Sequence, residues 1–172
     1  LQSKNLTDRR DVPAHIRKQA KVKDDGKPLE VPAFKSGKAL LKGKFLAFRT
    51  DMNRGLNVYV DNPVTAVQEE YNTKIKDDGT FELEIPLVTT FQSVLFRNQF
   101  VSDNILLSPG KETSIYVDMQ QMSSQKTVNG AIKRPDEQFV FFEGANAEIN
   151  NQMFLPEVTK CVEGVFTQDK LS

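Results

Sequence analysis

The residues best suited to chemistry are scarce in this chain. It contains one cysteine, Cys161, and one histidine, His15. A single cysteine excludes an internal disulfide and a Cys-x-x-Cys redox pair, and a single histidine leaves no plausible zinc cluster. Neither His nor Arg adjoins Cys161 to favour its thiolate, so we predict that it occupies an apolar position on a helix. His15 has no neighbour that would orient it as a base, which favours a solvated imidazole.

Acidic residues occur in two kinds of pair. Asp24-Asp25 and Asp77-Asp78 each precede a glycine, but the spacing of a calcium loop is absent, so we interpret both pairs as turns. Glu82 and Glu84 lie two residues apart in a strand-like stretch, and therefore on the same face. Glycoside hydrolysis needs two carboxylates that face each other across a cleft. The sequence therefore predicts no catalytic, cofactor-binding or metal-ligating residue, and no cofactor.

The net charge of the 172 residues is zero, but the charges are unevenly distributed. Residues 1–49 contain 13 Lys and Arg against 5 Asp and Glu, whereas the remainder contains 10 against 18. No aromatic residue interleaves the basic residues before Phe34, as binding of single-stranded nucleic acid would require. We therefore predict a solvated basic leader that lies against an acidic body and binds no nucleic acid. No apolar run approaches the roughly 20 residues of a transmembrane helix.

The rest of the chain is organised around residues 77–118. Here Phe81, Leu83 and Ile85 alternate with glutamates, which predicts a strand with one buried face. Asp78-Gly79 is typical of a hairpin turn, because glycine readily adopts positive φ, and we predict that this turn pairs run 65–76 with strand 80–86. Ser108-Pro109-Gly110 predicts a second turn between two short apolar strands, with its glycine also at positive φ.

Similar alternation between turn residues recurs along most of the chain. It predicts about eight strands with mostly short connections, and thus an all-β fold and not alternating α/β units. Charged faces on several strands favour an antiparallel β-sandwich, immunoglobulin- or prealbumin-like, in which two sheets pack face to face. The residues predicted to be largely buried in it are Phe45, Val58, Phe81, Leu83, Leu95, Leu107, Ile115, Val117 and Phe141.

The pattern changes at Gly144. Residues 145–155 have helical spacing of apolar positions, which predicts a short helical segment after the sandwich. Pro156 can begin a second helix, whose apolar stripe includes Cys161. We therefore divide the chain into a basic leader with an edge hairpin (1–37), the β-sandwich domain (38–143), and a helical linker (144–172) leading to a further domain.

Three groups of residues carry a resemblance to a known family. They are Asp78-Gly79-Thr80-Phe81, the turn and strand from Leu106 to Asp118, and the run Phe142–Asn150 with its Gly144 and Ala147. Over about residues 38–155 the chain resembles the N-terminal part of Gram-negative envelope proteins. In these proteins a β-sandwich precedes a helical linker and a TlpA-like thioredoxin domain. The family's chemistry resides in a Cys-x-x-Cys motif of the thioredoxin domain, which this sequence lacks, so no catalytic residue carries over.

The resemblance implies a non-catalytic accessory domain of a cell-envelope thiol:disulfide oxidoreductase. It would position a downstream thioredoxin-like domain or bind a partner protein, in the periplasm or cell envelope, where the protein could be held by a lipid anchor. The alternative is a stand-alone envelope module that binds a glycan or peptide, which an exposed strand edge or an aromatic cluster on one face would favour. An enzyme in its own right has the least support, because the residues of an active site are missing.

Overall fold

The computed structural model describes residues 31–123, 126–128, 131–133 and 138–155, with the backbone alone for the two short segments. The described helices are α1 (Met119–Met122) and α2 (Ala147–Met153). The described strands, in chain order, are β1 (Phe34–Leu46), β2 (Gly55–Asn62), β3 (Val67–Lys74), β4 (Thr80–Thr89), β5 (Gln92–Arg97), β6 (Ser102–Leu107), β7 (Glu112–Asp118), β8 (Lys126–Val128), β9 (Ala131–Lys133) and β10 (Val140–Gly144).

Eight of these strands form two four-stranded sheets that pack as a β-sandwich. Sheet A has the order β10-β7-β1-β4 and sheet B the order β3-β2-β5-β6, while β8 and β9 form a separate ladder. Strand β2 shows why the sequence folds this way: Leu56, Val58 and Val60 are buried between the sheets, and the residues between them face outward. The predicted β-sandwich with a short helical segment after it is confirmed.

Phenylalanines from both sheets meet in the core. The ring centroid of Phe81 on β4 lies 5.9 Å from that of Phe45 on β1 and 6.0 Å from that of Phe96 on β5. A side chain at Gly43 would collide with the Phe81 ring and with Ile115, so glycine allows the ring to lie across β1. These contacts join the two sheets, and they make Phe81 a central residue of the sandwich.

The predicted pairing of strands 65–76 and 80–86 through the Asp78-Gly79 turn is wrong. Strand β3 pairs with β2, and β4 pairs with β1. The turn between β3 and β4 therefore carries the chain from one sheet to the other. Gly79 does adopt positive φ, +81°, and its carbonyl accepts a hydrogen bond from Phe45 N–H at 2.9 Å. The turn is as predicted, but local turn chemistry does not specify which strands it brings together.

Three further expectations need correction. Strands β1 and β7 pair in parallel, so sheet A is mixed and not purely antiparallel. Leu95 lies on the outward face of β5, between buried Val94 and Phe96, and Leu83 is only half-buried. Phe141 is buried, as predicted, and packs with Leu46 in a small cluster separate from the main core. The other six residues predicted to be buried lie in the main core.

Two of the four lysines of β1 form ion pairs with acidic residues of the neighbouring strands. On the outer face of sheet A, Lys38 Nζ lies 2.8 Å from Glu84 Oε2 and Lys42 Nζ lies 2.9 Å from Glu112 Oε2. The hydrogen bond to Glu112 raises the pKa of Lys42. Part of the positive excess in residues 1–49 is therefore balanced within the sandwich itself. Glu82 and Glu84 are exposed on this face, as predicted.

Helix α2 closes one side of the sandwich by binding an edge strand of each sheet. Asn150 Oδ1 accepts from Leu106 N–H at 2.7 Å, and its Nδ2 donates to Leu106 C=O at 3.0 Å, on β6. Asn151 binds β10 in the same way, with Oδ1 2.8 Å from Phe142 N and Nδ2 2.9 Å from Phe142 O. Each side-chain amide thus takes the place of one residue in a neighbouring strand, and the edge is covered.

Two adjacent residues can bind different sheets because successive side chains of a helix point about 100° apart. Both asparagines are almost fully buried. Phe154 at the end of α2 packs against Phe142, with ring centroids 5.2 Å apart. The described part of the segment after Gly144 is therefore attached to the sandwich.

Several predictions fall on residues outside the described ranges. They concern His15, Asp24-Asp25, the edge hairpin of the leader, the helix from Pro156 and the position of Cys161. The division of the chain at residues 37 and 143 stays a prediction. Across the described ranges, no helix is long and apolar enough to cross a membrane.

Candidate ligand-binding cleft

A polar cleft lies where β2 begins and β5 ends, at one end of sheet B. Its volume is about 480 Å³. The strands place outward-facing residues side by side, since Asn57 pairs with Arg97 and Tyr59 with Leu95 across the β2–β5 ladder. Loops before β2 and after β5 complete the walls. The lining residues are Asn53, Gly55, Asn57, Tyr59, Arg97, Asn98 and Gln99.

The loop after β5 is held by Asn98. Its Oδ1 accepts from Phe100 N–H and from Val101 N–H, both at 2.7 Å, and its own N–H donates to Val101 C=O at 2.8 Å. The two bonds to Oδ1 fix the Asn98 side chain in an Asx-type turn, and the third bond joins the two backbones. Its Nδ2 is buried and has no hydrogen-bond partner in the described structure. A buried donor without a partner is costly, so a ligand oxygen or a water that reached it would relieve that cost.

Two residues of β2 form the floor of the cleft. Asn57 Nδ2 donates to Tyr59 Oη at 3.2 Å and to Glu70 Oε1, on β3, at 2.8 Å. Because the phenol oxygen accepts this bond, its hydrogen is available to donate elsewhere. Asn53 forms a separate turn before β2, in which its Oδ1 accepts from Gly55 N–H at 2.9 Å. The floor is therefore a fixed arrangement of amides beside one aromatic ring.

Arg97 supplies the positive charge of the cleft. It is exposed, and among the described residues it makes no ion pair. The lining contains no carboxylate and no nucleophile paired with a base. The arrangement offers hydrogen-bond donors, acceptors and one cation, and it is suited to binding.

A second groove, of about 430 Å³, lies between β3 and β4 on the open side of the sandwich. Its walls include Glu82 and Glu84, which were considered above as a catalytic pair. Both side chains point outward on the same face, and Glu84 accepts a hydrogen bond from Lys38. Asp78 is a turn residue: its Oδ1 accepts from the Thr80 hydroxyl at 2.7 Å and N–H at 3.0 Å, and these bonds lower the pKa of Asp78. In the described ranges no three His, Cys, Asp or Glu residues gather as metal ligands.

Sequence reasoning did not identify the polar cleft. Its residues come from β2, from β5 and from two loops, and they are amides and an arginine that occur on any strand or turn. The alternation of β2 does show that Asn57 and Tyr59 share the outward face. Only the register between β2 and β5 shows that Arg97 lies beside them.

Comparisons with known proteins give little more. No family model matches the chain, and no curated protein matches it. A solved structure of a "putative cell adhesion protein" from Bacteroides ovatus is similar at a TM-score of 0.32 and 15% sequence identity. The match covers 64% of this chain, which spans 44% of the length of that protein.

Proposed function

We propose that this domain is a non-catalytic binding module whose polar cleft takes a carboxylate-bearing sugar. The observation that carries the proposal is that one cleft is lined both by Arg97, which makes no ion pair among the described residues, and by Asn98, whose buried Nδ2 has no hydrogen-bond partner there. A guanidinium binds a carboxylate through two parallel hydrogen bonds, and these charge-assisted bonds are about twice as strong as neutral ones.

The remaining lining supports a sugar over a peptide. Amides of Asn53, Asn57 and Gln99 can both donate to and accept from hydroxyl groups. The ring of Tyr59 offers an apolar surface for one sugar face, and its hydroxyl a donor. Peptide recognition relies on pockets for apolar side chains or on a strand edge, and neither is part of this cleft.

The test is titration calorimetry of the 172-residue chain with an oligomer of a uronic acid and with the neutral oligomer of the same linkage. We expect binding of the acidic oligomer only, weakened by roughly 10- to 150-fold in Arg97→Ala, since a hydrogen bond to a charged group contributes about 1.5–3 kcal/mol. Lys111→Ala is the matched control, because Lys111 is also exposed but lies at the opposite end of the sandwich. Equal binding of both oligomers, or an effect of Lys111→Ala equal to that of Arg97→Ala, would contradict the proposal. Binding of an acidic peptide in place of the sugar would assign the cleft to a peptide.

A second candidate is the accessory domain of a cell-envelope thiol:disulfide oxidoreductase, with the periplasm or cell envelope as its setting. The attachment of α2 favours it, because Asn150 and Asn151 fix this helix to the sandwich, and a fixed helix could set the position of a following domain. Such a helix would suit a domain that positions another. Sequencing the natural reading frame past Ser172 tests it: a following domain with Cys-x-x-Cys is expected, and a natural protein without that motif would eliminate the candidate.

A further inference from the structure

Strand β3 is an edge of sheet B, and its outward backbone groups have no partner among the described residues. Ile75 N–H donates to Arg54 C=O at 2.9 Å, so this pair and every second pair along the β2–β3 ladder are hydrogen-bonded. The backbone groups of the alternate residues therefore point away from β2, towards solvent. These residues are Gln68, Glu70, Asn72 and Lys74, and no bond to their N–H or C=O groups is present in the described ranges.

The other three edges of the sandwich are covered or interrupted. Side-chain amides from α2 bind the outward backbone groups of one residue on each of two edges, Leu106 on β6 and Phe142 on β10. On β4, Thr80 N–H is bound by Asp78 and Thr80 C=O by Lys76, Pro86 has no N–H, and Val88 N–H donates to Gln92. Among the described residues of β4, only Glu82 and Glu84 present both a free outward N–H and a free outward C=O. Strand β3 has no proline and no side chain bound to its outward backbone groups in the described ranges, although it carries the charged residues Glu69, Glu70 and Lys74.

We propose that β3 pairs antiparallel with β3 of a second copy of this chain, about a two-fold axis at Asn72. An isologous contact requires a strand that is complementary to itself, and β3 meets this requirement in charge. With the axis at Asn72, Glu70 lies opposite the partner's Lys74, and Lys74 opposite the partner's Glu70. Both side chains are exposed, and no ion pair holds Lys74 elsewhere in the described structure. Glu70 Oε1 accepts a hydrogen bond from Asn57 Nδ2, which leaves Oε2 for the partner's lysine.

The charges also disfavour two alternative registers. An axis at Glu70 would place that residue opposite its own copy, which is repulsive. An axis at Tyr71 would place Glu70 opposite Asn72 and Gln68 opposite Lys74, with no ion pair. The inward-facing carboxylate of Glu69 does not oppose the approach, because it accepts hydrogen bonds from the Tyr71 hydroxyl and from Asn62.

The test is sedimentation velocity of the 172-residue chain over a range of concentrations. We expect a concentration-dependent dimer that Asn72→Pro dissociates, since this substitution removes an outward N–H and leaves the hydrogen bonds to β2 intact. Asn72→Ala, which keeps the N–H, is the matched control and should retain the dimer. Circular dichroism melting shows that each variant is folded.

Charge reversal gives a second measurement that does not depend on proline. Glu70→Lys and Lys74→Glu each place two like-charged pairs at the interface and should weaken the dimer by roughly ten-fold. The double variant Glu70→Lys/Lys74→Glu should restore dimerisation towards that of the wild type. A wild type that is monomeric at every concentration would overturn the proposal, as would a dimer that Asn72→Pro leaves intact or a double variant no better than the single ones.

Discussion

The asparagine contact between α2 and the edge of sheet A allows a quantitative test of the fold. Asn151 is 1% exposed, and its amide forms both the bond to Phe142 N–H and the bond to Phe142 C=O. Asn151→Ala would leave this backbone donor and acceptor buried without partners. Each such group costs about 1–3 kcal/mol. The higher helix propensity of alanine offsets at most about 0.7 kcal/mol. We therefore expect a loss of roughly 2–5 kcal/mol.

The loss is measured by urea unfolding followed by far-UV circular dichroism. An unchanged m-value would show that stability alone has altered. Gln152→Ala is the control, because this neighbour on α2 is partly exposed and its side chain makes no hydrogen bond within the described ranges. Asn150→Ala should cost less than Asn151→Ala, since Leu106 C=O keeps a bond from Asn146 Nδ2 at 3.4 Å.

Hydrogen exchange supplies the local readout. In the wild type Phe142 N–H should be protected, and in Asn151→Ala it should exchange markedly faster, because its acceptor is gone. A loss of stability no greater than that of Gln152→Ala, together with unchanged protection at Phe142, would refute the reasoning. In Asn151→Asp the buried carboxylate would face the Phe142 carbonyl, so burial should raise its folded pKa. The stability of this variant should therefore be greatest at acidic pH and fall as the pH rises.

Four other predictions concern the core, the turns and the single thiol. Phe81→Ala should cost roughly 3–5 kcal/mol in chemical denaturation, and a loss below about 1 kcal/mol would be inconsistent with its central position. Gly79→Ala should lower the melting temperature more than Gly110→Ala: both glycines have positive φ, but only the first Cβ would meet a backbone oxygen. Equal melting temperatures would disprove that distinction. The folded pKa of Asp78 is lowered, so its contribution is present above its unfolded pKa and lost as the pH falls through the folded value. The stability advantage over Asp78→Asn should therefore shrink in acid, and a pH-independent difference would contradict this. Finally, the chain should not catalyse dithiothreitol-dependent insulin reduction, because turnover needs a second thiol to resolve the mixed disulfide; activity that disappears in Cys161→Ser would show otherwise.

The sequence by itself determined where most of the strands lie and, apart from β5, which of their faces are buried. Alternation of apolar and polar residues has the period of a strand, and burial follows that period directly, as Val58, Phe81 and Ile115 show. The positive φ of Gly79 and Gly110 was also predicted correctly, because positive φ is a local requirement of the turn. The helix after Gly144 was predicted from the spacing of its apolar positions, and α2 confirms it.

Only the tertiary structure decided which strands are neighbours. A turn such as Asp78-Gly79 fixes a local change of direction, but hairpin pairing and a crossing between sheets begin with the same residues. The parallel contact of β1 with β7 joins segments some seventy residues apart, and no local pattern encodes it. Leu95 was misassigned because its neighbours on both sides are apolar too, so the alternation there did not identify the buried face.

The polar contacts depended on the fold most of all. In sequence, Asn150 and Asn151 are two ordinary polar residues of a short helix, and only the docked helix shows that each replaces part of a strand. In the same way, Arg97 and Tyr59 form a cleft only through the register of β5 against β2. Burial was predictable and these polar contacts were not, for a physical reason. Burial depends on which side of a strand or helix a residue occupies, and the periodicity of apolar residues in the sequence shows that side. A hydrogen bond depends on a specific partner at about 3 Å, which the packing of distant segments alone provides.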